Sequence, residues 1–156
     1  MNALNTKALE RKVERIENYI PNAERINLKV SKVNVAWQLD HSLKVIIAVV
    51  KNMEASDPAL YENNFSFLGK IFLSIGFFPR GKARSPKYVK PPEVILNSDL
   101  VSQVKEARQK IKDLQNLDRN AFFKHPIFRN INTIRVVRFL DTHTNHHLKI
   151  VKSILK

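Results

Sequence analysis

Three of the chain's five histidines fall in one stretch, "DTHTNHHLKI", residues 141–150. His143 and His147 are four apart, which on an α-helix puts both imidazoles on one face with one turn between them. They fall on the apolar stripe of that helix, where a bundle normally carries Leu or Ile. His41 takes the same kind of place on a second helical stretch. A buried imidazole nitrogen without a partner costs about 1–3 kcal/mol, so three on facing helices require hydrogen-bond acceptors or a metal. Three neutral imidazoles leave one coordination position open, as in catalytic rather than structural zinc-type sites. Such a metal lowers the pKa of a water or an incoming thiol. A helical His-x-x-x-His pair taken alone is more often solvated or satisfied inside a core, and the case rests on the third histidine.

The other candidates are peripheral. His146 points away from the pair, as an outer-edge residue facing solvent or backing the ligands. His125, in "KHPIF", is either a pocket rim or, the preferred reading, a turn-forming residue ahead of Pro126. Trp37, one turn before His41, is expected at the floor of the site.

The elements that must position these residues read as helices. The chain has 156 residues and 44% hydrophobic content, enough for one core, and residues 1–156 read as a single domain. Gly occurs 3 times, and helical spacing dominates over strand alternation, which predicts an all-α protein. A first helix spans residues 6–19, with Leu9, Val13 and Ile16 inward and Pro21 ending it. A second starts at Ser31 or Asn34 and runs to about Met53. It carries two apolar stripes, Leu39, Leu43, Ile46, Val50, Met53 and Val33, Trp37, Val45, Ala48, the latter including His41. A third, capped by Asn97, Ser98 or Asp99, carries Leu100, Val104, Ala107, Ile111 and Leu114 and ends near Asn116. After a short link with a proline turn, Asn132 or Thr133 opens the last helix, whose stripe is Val136, Leu140, His143, His147, Ile150 and Ile154.

Between the second and third helices lies a long connection, residues 63–95, expected as a crossover with one short helix and as a lid or substrate wall. Its first half, "FSFLGKIFLSIGFF", could form a homodimer surface or cover the end of the bundle. Its second half is basic. Short links at either side and one long crossover describe a four-helix bundle in which the second and third helices run parallel.

"WQLDHSL" together with "HPIFRNINTIRVVRFLDTHTNHHLKI" resembles the DinB/YfiT-like metal-binding four-helix bundles, closest to a branch described as a domain of unknown function. In that branch a His-Pro-aromatic-Phe-Gly turn precedes a helix ending in His-x-x-His-His-Leu-Arg-Gln. The resemblance implies an up-down-down-up bundle with one divalent metal held by His41, His143 and His147; imidazole accepts zinc, nickel, copper or iron, of which zinc or nickel is the expected ion. Relatives include transferases that use low-molecular-weight thiols such as bacillithiol or mycothiol, and a maleylpyruvate isomerase. The resemblance therefore implies a metal-dependent transferase or hydrolase acting on a small molecule, a thiol or an anion; it identifies no further catalytic residue. The chain departs from the pattern at Arg129 for the turn glycine, Lys149 for the arginine and Ile150 for the glutamine.

Composition sets the rival reading. Lys and Arg total 27 against 14 Asp and Glu, for a net charge of +13, which obliges nucleic acid and other polyanions to be considered as partners. The densest basic group is Arg80, Lys82, Arg84, Lys87 and Lys90, beside Tyr88, Phe77 and Phe78. It could grip phosphates, steer a small anion toward a metal, or simply be a solvated surface. The alternative function is thus a non-catalytic or nucleic-acid-binding bundle with structural histidines. No helix-turn-helix, zinc finger or RNA-recognition motif accompanies the charge, and no Gly-rich phosphate loop or Gly-x-Ser-x-Gly elbow is present. The absence of cysteine excludes disulfides, thiolate nucleophiles and cysteine-ligated metals. Lacking a signal-like N-terminus or a membrane-spanning run, the chain is expected to be cytoplasmic and free of membrane contact.

Overall fold

Apolar side chains recurring every three or four residues define four long helices, and the computed structural model, which describes residues 4–81 and 86–156, forms each of them. In α1 (Lys7–Tyr19), Leu9, Val13 and Ile16 are fully buried. The chain then tightens into a 3-10 turn, Ile20–Asn22, with Pro21 in its first positions. In α2 (Val35–Glu54), Asn34 is the N-cap, its side chain accepting from the Trp37 amide at 3.0 Å. The two apolar stripes of α2 have a plain cause: the helix is central and buried on most of its circumference, including Gln38, Asp40 and His41. The third long helix, α4 (Asn97–Asp113; α3 is described below), buries Leu100, Val104, Ala107 and Ile111 completely. No side chain caps it; Leu96 is the boundary residue, so the capping expected from Asn97, Ser98 or Asp99 does not occur. A 3-10 turn, Leu114–Asn116, extends it to the expected end.

Helix α5 (Thr133–Ile154) carries the clustered histidines and buries Val136, Leu140, His147, Ile150 and Ile154. Helix α2 packs on α4 and α5, while α1 packs on α5 and α4, so the core lies among these four. In the crossover, α3 (Phe67–Ile75) is the expected short helix, and it ends at Gly76 in the left-handed conformation, φ 70°. Phe65, Leu73 and Val89 of this connection are buried in the core, whereas Phe67 and Ile75 are 77% and 67% exposed. The crossover therefore covers the core with one face only. No helix among the described residues is long and apolar enough to cross a membrane.

One departure alters the fold class: the protein is predominantly helical, with 62% of the described residues in helices, and also contains a small two-stranded sheet. The expected link before α5 is an antiparallel hairpin, β1 (Phe122–His125) and β2 (Arg129–Asn132), in register from Phe122↔Asn132 to His125↔Arg129. Four-residue strands are too short to show alternation, and tertiary contacts hold them. Asn130 ties the hairpin to the start of the crossover: its amide donates to Asn64 Oδ1 at 3.0 Å and its side chain to the Glu62 carbonyl at 3.1 Å, while Ser66 N–H donates to the Phe128 carbonyl.

Arg129 adopts φ 64°, the left-handed region that disfavours a side chain with a Cβ. This is the position at which the resembled pattern carries glycine. Arg129→Gly should therefore raise stability by about 0.5–1 kcal/mol, since strain of roughly 1–2 kcal/mol is relieved against about 0.5–1 kcal/mol of added chain entropy. Urea unfolding at unchanged slope measures it.

Candidate metal centre

His41, on the buried α2, and His143 and His147, on adjacent turns of α5, converge. Their candidate ligand nitrogens all lie within 4.8 Å of one another, an arrangement that could hold a metal ion. Nitrogens on a tetrahedral ion stand roughly 3.3 Å apart, given bonds of about 2.0–2.1 Å, so small side-chain rotations would complete the set. Ring centroids are 4.8 Å apart for His41 and His147, 5.3 Å for His41 and His143, and 4.6 Å for His143 and His147.

Hydrogen bonds determine which nitrogens are available. His41 Nδ1 lies 2.8 Å from the Val89 carbonyl, which can only accept, so Nδ1 donates and Nε2 keeps its lone pair. His147 Nδ1 donates to Gln38 Oε1 at 2.6 Å, with the same consequence. His143 differs: its Nδ1 is sealed from solvent and has no partner among the described residues. Two lone pairs fixed in direction and one unsatisfied nitrogen form a donor set that fits a divalent metal, because histidine ligands normally hand their second N–H to a carbonyl or amide.

Electrostatics keep the set neutral. Burial holds His143 and His147 well below the ordinary histidine value, and the mutual repulsion of neighbouring imidazolium charges adds to it. Burial also lowers His41, outweighing the Val89 carbonyl and Asp40, which act the other way. Asp40 is itself buried, paired with Lys44 Nζ at 2.7 Å and accepting from Gln103 Nε2 at 2.8 Å. It turns toward α4 and is not part of the cluster.

Trp37 stacks on His41 with centroids 5.1 Å apart and planes at 25°. Phe139 stacks on His143 from the hairpin side at 6.0 Å. Beyond Trp37 opens a groove of about 590 Å³, walled by residues 24–37 on one side and 90–95 on the other. Lys90, a member of the basic group, lines this groove, and the carbonyl of the preceding residue, Val89, orients His41. Arg80 and Lys149 line a separate small cavity with His146. Lys87 is exposed in a 3-10 turn, Lys87–Val89. Lys82 and Arg84 lie outside the described residues.

His146 meets His147 edge-on at 5.0 Å, consistent with a place at the outer edge. His125 stands apart as the turn-former: its Nδ1 accepts the amides of Ile127 and Phe128 at 3.1 and 3.0 Å, and its ring stacks on Phe128 at 4.4 Å. Burial lowers its pKa to about 4. Between pH 4 and 6.5 the unfolded chain thus binds the proton and the fold does not, so stability is full above about pH 6.5 and falls as pH drops toward 4. The contribution is on the order of 2–3 kcal/mol. His125→Asn keeps an acceptor for the turn amides without that titration, and should flatten the acid limb of the melting temperature against pH.

Sequence reasoning missed Gln38 and the Val89 carbonyl. Gln38 had a signal, being a polar residue three positions before His41 on a buried helix. The carbonyl had none, since any residue supplies one. No family model, curated protein or solved structure matches this chain.

Proposed function

We propose that this protein binds one divalent metal through His41, His143 and His147, in a DinB-like four-helix bundle running up-down-down-up, and uses it as a metal-dependent transferase or hydrolase. The observation that carries the reading is the donor set: three neutral imidazoles whose candidate ligand nitrogens lie within 4.8 Å of one another, two with Nδ1 committed to acceptors and one with a buried nitrogen that has no partner among the described residues. Zinc or nickel suits imidazole ligands. An ion with three protein ligands supplies a Lewis acid that makes a thiol or a water nucleophilic near neutral pH.

The chain's own residues do the rest. Gln38 and the Val89 carbonyl orient two ligands, and Trp37 and Phe139 wall the centre with aromatic surface. The groove beyond Trp37 would seat a small-molecule substrate, with the crossover segment as its wall. A low-molecular-weight thiol and an activated ester provide the test. Zinc- or nickel-loaded protein should accelerate thiol addition to an aromatic electrophile or hydrolysis of the ester. Activity must vanish with chelator and return on adding the metal back; turnover indifferent to chelator would refute the reading.

A further inference from the structure

We propose that α5 carries a second ligand site, an oxyanion pocket for a single carboxylate or phosphate group, on the face next to the histidine cluster. Residues 142, 145, 146 and 149 lie within about 100° of the helix circumference, and 143 and 147 lie on the adjoining arc, with His146 at the border. Thr142, Asn145, His146 and Lys149 line a cavity of about 50 Å³, whose other wall is Gly76, Phe77, Phe78 and Arg80 of the crossover. A single water needs about 10–15 Å³ on this measure, so the space admits a small oxyanion.

Three observations point to an anion. Both cations at the cavity lack an acidic partner among the described residues, and no carboxylate lines it. The carboxylate closest along the helix, Asp141, is engaged by Lys12 and by Arg138. Finally, the Thr142 hydroxyl, in a residue 2% exposed, has no hydrogen-bond partner among the described residues, although a helical threonine usually returns its proton to a carbonyl one turn back. It remains available to donate. The unfavourable C-terminal end of α3 is partly offset, because Arg138 Nε donates to the Leu73 carbonyl at 2.8 Å.

The rings of His146 and His147 are 5.0 Å apart, so a group held here lies one side chain from the metal centre. Its role as the acidic handle of a substrate rests on the metal reading; anion binding itself does not.

The test uses metal-free protein, titrated with inorganic phosphate and, separately, with acetate at constant ionic strength, followed by amide shifts in two-dimensional NMR. The expected result is saturable shifts at Thr142, Asn145 and His146 with at least one of the two anions, which names the group. Affinity should fall at least tenfold in Arg80→Gln/Lys149→Gln and severalfold in Thr142→Val, a near-isosteric change. Metal stoichiometry, measured in parallel, should remain at the wild-type value in these variants. Absence of saturation with both anions, or equal affinity in the double variant, would overturn the site whether or not the protein binds metal.

Discussion

Replacing His143 by leucine should abolish metal binding and at the same time raise the melting temperature of the metal-free protein. The two effects share one cause. His143 Nδ1 is buried without a partner, and an unsatisfied buried nitrogen costs about 1–3 kcal/mol. Leucine has similar bulk and stands among Phe139, His41 and His147 without any polar atom to satisfy. A gain of about 1–2 kcal/mol corresponds to about 2–8 °C in a chain of this size. Removing one of three ligands should weaken metal affinity by at least about a hundredfold, more than the outer-shell effects that run to that value. If His143 were a structural histidine satisfied by the fold, the substitution would lower the melting temperature instead. Calorimetry of chelator-treated protein, paired with zinc titration of wild type and variant, separates the two cases.

Gln38→Leu should cost about 10–100-fold in metal affinity while leaving the three ligands in place. Gln38 Oε1 is the acceptor that keeps the proton of His147 on Nδ1, 2.6 Å away, and so leaves Nε2 free to ligate. Without it, His147 can place its proton on either nitrogen and turn its ring. Part of the binding energy is then spent on restoring tautomer and orientation. Gln38→Glu should retain or strengthen binding, because a carboxylate accepts the same N–H and makes the imidazole more basic. Competition titrations with a chromophoric chelator measure both variants. Equal affinity in wild type and Gln38→Leu would mean that the hydrogen bond does not act on the ligand.

The parts of this molecule that could be read in its sequence are those that repeat. The inward stripes of α1, α4 and α5 recur over several turns, and the burial of Leu9, Leu100 and Leu140 follows from that period alone. His143 and His147 were legible for the same reason, since their spacing places them on a stripe whose other members are Val136, Leu140, Ile150 and Ile154. His41 required the further inference that α2 faces α5. Resemblance to the DinB-like bundles added weight to the same three residues, yet their convergence is a fact of the geometry alone.

What could not be read is what depends on distant contacts. The hairpin of residues 122–132 is held by Asn64, Glu62 and Ser66 from the other end of the crossover, and no local period announces it. His125 has a left-handed Arg129 beside it and two amides on its ring nitrogen, a turn whose geometry the dipeptide His-Pro only suggests. The basic residues of the crossover are close in sequence, but the described members separate in space: Lys90 lines the groove at Trp37 and Arg80 the small cavity at His146. Charge density along a chain does not tell which cations share a surface.

Elemental analysis of untagged protein, purified without chelator and beside His143→Leu, tests the central claim most directly. About one equivalent of zinc or nickel in the wild type, and little in the variant, is the predicted result. Wild-type protein that holds no divalent metal even after incubation with zinc and with nickel would contradict it.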